Sequence, residues 1–210
     1  WVWTIPDGAL VASSQEWDTD QQSQAANQND LQAERVVDPK PPIAVNDAFG
    51  VRAGTDVALS LLLNDHDPNE DVLSIVPASL EGLDPAFGTV RTTNAEQQAV
   101  ITVAPDATGT ATFRYRVTDG TALGGLESET ATVTITVHGD ETNNPPVWCG
   151  VEACLATWPS PEVLPGGTVS VDALAGWVDP EGDPIFLASA SGGTEVGTVA
   201  ASPEGTVTYQ

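Results

Sequence analysis

The chain has 210 residues, and its 30 Asp and Glu residues against 6 Lys and Arg residues give a formal net charge of −24. This length fits one large domain or two small ones, and an apolar fraction of 40% is sufficient for a packed core. The charge argues against nucleic acid and anionic lipid as partners, because both require a basic surface. It favours cations instead. The sequence contains no apolar run of about 18 residues, so no direct membrane insertion is expected in this segment.

The first forty residues fall into two segments of different composition. Residues 1–17 alternate apolar and polar positions around a Pro-Asp-Gly turn, which predicts a β-hairpin, interpreted as the end of a preceding domain. Residues 18–40 are rich in Gln, Asn and Asp and predict a polar linker. Since the chain begins at Trp1 and contains no Met, we interpret it as a piece of a longer protein.

From Pro41 onward the pattern is all β. Seven short runs that alternate apolar and polar residues, separated by turn residues, occur within about a hundred residues. In the run FRYRV, Phe113, Tyr115 and Val117 are predicted to face the core, and the two arginines between them to face water. We therefore expect an immunoglobulin-like β-sandwich over residues 41–139.

The pattern then repeats. A shift of 112 residues places Gly54 on Gly166 and the pair Asp67-Pro68 on a second Asp-Pro pair, and a Pro-Pro pair opens each copy. The second copy, residues 145–210, lacks the last two strands of the first, so we expect a truncated Ig-like repeat with unfilled sheet positions. Either the native chain continues, or a strand from elsewhere fills the gap.

An acidic loop, NDHDPNED, follows the second predicted strand of the first copy. Its alternating donors Asp65, Asp67, Asn69 and Asp71 supply the oxygen ligands that Ca²⁺ prefers, and a turn can converge them. The loop starts like an EF-hand, but Glu70 stands where that motif requires Gly, and strands flank it instead of helices. The alternative is a turn that Asp and Asn side chains brace by bonding to the local backbone.

The second copy keeps a thinner form of this loop. Its oxygen donors are Asp179, Glu181 and Asp183, while Gly176 and Trp177 replace two donors of the first copy. The recurrence indicates that Asp-Pro-x-x-Asp is a building feature of the sandwich, and the lost donors predict a weaker calcium site here. Further candidate ligands lie near the domain ends and the joint: Asn46, Asp47, Asp119, Asp140, Asn143 and Asn144.

The two cysteines stand close together, in the segment WCGVEACL. Cys149 and Cys154 are candidates for a small disulfide ring, provided that the compartment is oxidising. The alternative is half of a zinc site, for which no partner lies nearby in sequence.

The combined motifs over residues 41–210 resemble the tandem bacterial Ig-like and cadherin-like repeats of large surface proteins. NDHDPNEDVL after the second strand, FGTV in mid-repeat and FRYRVTDG before the last strand carry the likeness, which is strongest to proteins of high-GC Gram-positive bacteria. The resemblance implies an extracellular position, adjacent repeats as partners, and a role as a stalk or adhesive module that often binds calcium.

Catalytic motifs are absent from the sequence. His66 and His138 stand apart from any nucleophile motif, and acids in a turn lack the apolar pocket that raises the pKa of a general acid. We therefore expect no enzyme, no catalytic residue and no cofactor besides Ca²⁺.

The leading hypothesis is a structural spacer. The alternative is an adhesive module for a glycan or protein, with Trp148, Trp158 and Trp177 as the candidate aromatic patch.

Overall fold

The computed structural model describes residues 38–120, 125–192 and 197–210. The predicted hairpin of residues 1–17 and nearly all of the predicted linker of residues 18–40 lie outside the described residues. Backbone contacts divide the chain into the units Trp1–Pro39 and Lys40–Gln210, and the strands of the described residues all belong to the second unit. Within the described ranges, no helix is long and apolar enough to cross a membrane.

The described residues of the first sandwich form eight strands. They are β1 (Asp47–Arg52), β2 (Asp56–Leu59), β3 (Ser74–Ile75), β4 (Gly88–Thr93), β5 (Gln98–Val103), β6 (Thr110–Tyr115), β7 (Val117–Thr118) and β8 (Ala131–His138). Two single-turn 3-10 helices, Leu61–Leu63 and Pro77–Ser79, interrupt the strands. The all-β, Ig-like fold predicted from the alternation is confirmed.

The strands of this sandwich form two main sheets. One has the order β1-β8-β6 and the other β2-β5-β4, and a short pair, β3-β7, continues beyond the end of β6. Strand β1 runs parallel to β8, from Asp47 opposite Val133 to Arg52 opposite His138. All the other pairs in these sheets are antiparallel. The parallel pair places the first and last strands of the sandwich side by side.

The core lies between the sheets and follows the predicted alternation. Phe113, Tyr115 and Val117 are fully buried, whereas Arg114 is exposed and Arg116 half-buried. The apolar run that continues β2 differs from a strand, because residues 61–63 turn into a 3-10 helix whose first leucine is buried. This turn ends the strand and leads directly into the acidic loop.

The described residues between 147 and 210 form two small sheets. Their strands are β9 (Val147–Trp148), β10 (Val169–Asp172), β11 (Trp177–Val178), β12 (Val199–Ala201) and β13 (Thr206–Tyr209). Strand β9 pairs with β11, and β10, β13 and β12 form an antiparallel sheet with β13 in the middle.

A packed joint connects the first sandwich to residues 147–210. Cys149 and Cys154 are joined by a disulfide bond, with their Cα atoms 5.6 Å apart. The ring carries Val151, which is buried in the core cluster of the first sandwich. Just beyond the ring, the backbone N–H of Leu155 donates to the carbonyl of Leu63 at 2.7 Å. The disulfide ring therefore lies against the 3-10 turn that precedes the acidic loop.

Candidate functional site

The acidic loop of the first sandwich is a turn that Asp67 holds from within. Its Oδ1 accepts the backbone N–H of Asn69 at 2.6 Å and that of Asp71 at 3.3 Å. Glu70 has a φ of 64°, in the left-handed region where the EF-hand motif has Gly. The braced turn considered as the alternative to a metal site is thus present, and it uses one of the two oxygens of Asp67.

Asp67 also belongs to a cluster of three carboxylates, which we call the Asp triad. One carboxylate oxygen each of Asp67, Asp71 and Asp119 lies within 4.8 Å of the other two. Asp67 is 9% exposed and Asp119, which directly follows β7, is 7% exposed. The Oδ2 atom of Asp67 is buried and has no hydrogen-bond partner.

No protein cation neutralises the Asp triad within the described ranges. The ion pairs Arg52–Asp183, Arg114–Glu81 and Arg116–Glu127 include no member of the triad. Asp119 Oδ1 accepts the backbone N–H of Leu126 at 2.9 Å, which fixes that carboxylate without supplying a charge. Carboxylates at this separation repel one another unless a cation or a proton lies among them.

The other predicted donors of the loop point elsewhere. Asn69 Oδ1 accepts the backbone N–H of Lys40 at 2.8 Å and so ties the loop to the entry of the sandwich. Asp65 is 6% exposed and lies beside the hydroxyl of Tyr115. The alternating pattern of the loop therefore predicts more converging donors than the structure brings together. The third member of the triad, Asp119, comes from a strand end that is distant in sequence.

Tyr115 organises a second, separate group of buried acids. Its Oη lies 3.0 Å from Asp47 Oδ2, 3.0 and 3.1 Å from the two oxygens of Asp65, and 3.0 Å from the carbonyl of Val45. One hydroxyl hydrogen can serve only part of these acceptors, and a proton on one of the two carboxyl groups would supply a second donor. Burial raises the pKa of Asp47 to about 7 and that of Asp65 to about 6.

The acidic turn of residues 147–210 repeats the backbone bracing of the first. Asp179 Oδ1 accepts the backbone N–H groups of Glu181 and Asp183, each at 3.0 Å. The carboxylate of Glu181 accepts the backbone and side-chain N–H groups of Asn144 at 2.9 and 2.6 Å. Asn144 precedes its Pro-Pro pair as Lys40 precedes the first one, so the same contact ties each loop to the entry of its own copy.

Nitrogen donors of the protein already bind the carboxylates of Glu181 and Asp183 in this second turn. Arg52 donates from Nε and Nη2 to the two oxygens of Asp183, at 2.8 and 2.6 Å. These bonds lower the pKa of Asp183, and the bonds from Asn144 lower that of Glu181. The single convergent group of three acids within the described ranges is the Asp triad, to which the second turn contributes no residue.

The three tryptophans of the candidate patch contact one another edge to face. Ring centroids lie 4.9 Å apart for Trp148 and Trp158, 6.0 Å for Trp148 and Trp177, and 6.3 Å for Trp158 and Trp177. Trp158 is 58% exposed, whereas the other two are half-buried. The cluster therefore stabilises its own sheet pair and also presents one ring to solvent.

The first sandwich is similar to a known family. Residues 39–136, a little under half of the chain, match the family model described as bacterial Ig domain. Domains of this kind are typically non-enzymatic and commonly extracellular. None of the curated proteins compared matches the chain.

Several solved structures show weak likeness to the chain. Endo-fucoidan hydrolase MfFcnA4 of glycoside hydrolase family 107 is 18% identical, with 80% of this chain and 24% of that chain covered and a TM-score of 0.34. The human desmocollin-1 ectodomain is 16% identical, with coverages of 80% and 33% and a TM-score of 0.34. A nucleoside hydrolase-related protein from Saccharophagus degradans, associated with carbohydrate metabolism, is 18% identical, with coverages of 48% and 26% and a TM-score of 0.33. The chain thus spans a third or less of these structures.

Proposed function

We propose that the bacterial Ig-like domain and the second sandwich form a non-enzymatic spacer of a large extracellular protein on a bacterial surface, of the high-GC Gram-positive type. The main support is the contact that recurs in both copies, in which the residue before the Pro-Pro pair donates its N–H to the acidic loop. Repetition of one contact at two domain entries is expected of two copies of one module in a tandem array. The partners of each module are then its neighbours in the same chain.

Surface display tests the spacer role. The chain is placed between a cell-wall anchor and an epitope tag, and antibody access to the tag is measured by flow cytometry. Deletion of the chain is expected to reduce antibody access, and an unrelated pair of Ig-like domains of the same length is expected to restore it. Failure of the unrelated pair to restore access would contradict a pure spacer role.

The Asp triad supports a further part of the proposal, that Ca²⁺ binds the first sandwich. Asp67, Asp71 and Asp119 offer hard oxygen ligands, and the unpartnered, buried Oδ2 of Asp67 is an atom that such an ion would satisfy. Backbone carbonyls or water would complete the six to eight oxygens that Ca²⁺ takes. The ion would join the acidic loop to the end of β7 and so stiffen that edge of the sandwich.

Calcium titration tests this part. We expect binding with a Kd of about 10⁻⁴ to 10⁻³ M, as in extracellular modules. At ten times Kd the ion should raise the free energy of unfolding by about 1.4 kcal/mol. The variants D71N and D119N should lose both effects. They are preferred to a change at Asp67, because Asp67 also braces the turn.

The matched control is D106N, which changes an exposed acid outside the triad. It should bind calcium as the native chain does. No heat and no stabilisation up to about 10 mM calcium would remove the calcium proposal. The spacer proposal would remain, because it does not depend on an ion.

An adhesive role is the second candidate, and the exposed ring of Trp158 favours it. The patch lies near a cleft of about 430 Å³, whose lining includes Trp177, Asp56 and Asp183. An exposed aromatic ring is suited to stacking on a sugar or a cationic side chain. A glycan array with the native chain and the W158A variant separates the two roles, since a binding signal that depends on Trp158 would favour adhesion.

A further inference from the structure

Arg52, the last residue of β1, makes four hydrogen bonds at the joint. Two go to the carboxylate of Asp183, as described above. The others run from Nη1 to the carbonyl of Gly139 at 2.6 Å and from Nη2 to that of Thr142 at 2.8 Å. The side chain of Arg52 is 14% exposed and that of Asp183 is 33% exposed. One guanidinium thus connects the first sandwich, the segment between the sandwiches and the second acidic turn.

We propose that Arg52 is the cation that fixes the second sandwich on the first, in the place where a metal ion would otherwise be needed. The proposal goes beyond the spacer role, because it identifies the counter-charge that sets the angle between the modules. It concerns a different turn from the Asp triad, so calcium binding there neither supports nor weakens it.

The donors and acceptors at this turn are already matched. Both oxygens of Asp183 accept from Arg52, and both oxygens of Glu181 accept from Asn144. A planar guanidinium suits this role because it binds a carboxylate with two parallel bonds and still has donors for carbonyl oxygens. The oxygens that would bind a metal ion at the joint are therefore engaged by nitrogen donors.

Direct contact between the backbones of β1 and the second acidic turn brings Asp183 close enough to bond with Arg52. A Cβ on Gly50 would collide with the carbonyl oxygen of Pro180, and one on Gly182 would lie 2.6 Å from the carbonyl oxygen of Gly50. Gly182 also has a φ of 75°, a conformation that favours glycine. The two glycines thus allow β1 and the second acidic turn to meet main chain to main chain, next to Arg52.

Hydrogen–deuterium exchange of the full chain tests the proposal at the backbone amides of residues 139–144 and 179–183. The native chain should stay protected in excess EGTA and in calcium alike. R52A should raise the exchange rate of both segments by about tenfold or more, and R52K should restore little, because an ammonium cannot form the two parallel bonds. The matched control is R114A, since Arg114 pairs with an exposed Glu81 away from the joint.

A charge exchange keeps the test valid if R52A folds poorly. R52D and D183R should each loosen the joint, and the double variant should regain part of the protection. Unchanged exchange in R52A would overturn the proposal. So would a loss of protection in the native chain on EGTA treatment as large as that in R52A, because a metal ion would then hold the joint.

Discussion

At the scale of single residues, the buried acids divide between two chemical tasks. Asp67 and Asp119 meet in the Asp triad, where a cation would balance their charge. Asp47 and Asp65 meet at the hydroxyl of Tyr115, where a bound proton would balance it. Sequence alternation alone could not separate the tasks, because Asp65 and Asp67 are two residues apart and have the same preference for turns.

The acids around Tyr115 predict an unusual pH dependence. Their folded pKa values, about 7 for Asp47 and about 6 for Asp65, lie above the ordinary value of 3.8. The folded state therefore binds protons more tightly than the unfolded state, and this stabilisation is complete below pH 4 and is lost as the pH rises through 6 and 7. The free energy of unfolding should fall by about 2 kcal/mol or more between pH 5 and pH 8.

Urea unfolding at the two pH values measures this difference. D47N should reduce it strongly, because an amide keeps the shape of the side chain but does not titrate in this range. D106N, at an exposed position, should leave it unchanged. A native stability that rises between pH 5 and pH 8 would contradict the assignment of the shared proton to Asp47 and Asp65.

At the scale of elements, the strands were predictable and several of their partners were not. The alternation of apolar and polar residues located β6 and its buried face, because a strand with one buried face has an apolar residue at every second position. The parallel pairing of β1 with β8 joins segments more than eighty residues apart, and local pattern holds no information about it. The same applies to the Asp triad, since Asp119 follows β7 and its approach to the loop depends on the sheet.

The acidic turn is the element for which the repeat was most informative. Asp67 and Asp179 each accept two backbone N–H groups from residues two and four positions ahead. Recurrence of Asp-Pro-x-x-Asp therefore reflects how the turn is built. The differences between the two copies reflect the residues that each turn contacts. Those contacting residues lie far away in sequence, so the repeat does not predict them.

Removal of the brace in the second turn should destabilise the two small sheets of the second copy. D179A leaves two backbone N–H groups without an acceptor and should lower the free energy of unfolding by about 1–3 kcal/mol. D179N keeps the accepting oxygen and should cost less. Tryptophan fluorescence, to which Trp177 two residues before the brace contributes, can follow thermal unfolding of both variants. Equal stability of D179A and the native chain would show that other contacts hold the turn.

At the scale of the whole unit of residues 40–210, the contacts that matter most are the longest in sequence. Arg52 and Asp183 are separated by 131 residues, and the sequence supplied no reason to pair that arginine with one acid among 30. The repeat predicted two modules, whereas their joint emerged only from the structure. The disulfide ring that packs on the first sandwich belongs to the same joint.

The parallel pair of β1 and β8 also determines how the first sandwich would respond to tension. The chain enters β1 at Asp47, opposite Val133, and leaves β8 at His138, opposite Arg52. Tension between Lys40 and Glu141 therefore pulls the strands along their length in opposite directions. The bonds across the six residue pairs then share the load instead of opening one after another.

Single-molecule pulling can measure this resistance. Handles at Lys40 and Glu141 should give a high unfolding force in one event. Handles at Lys40 and Glu129 should give a much lower force, because both then pull at the Asp47 end and peel the strands apart. Equal forces in the two geometries would contradict load sharing. On a surface exposed to flow, a module built in this way would transmit mechanical load along the chain while remaining folded.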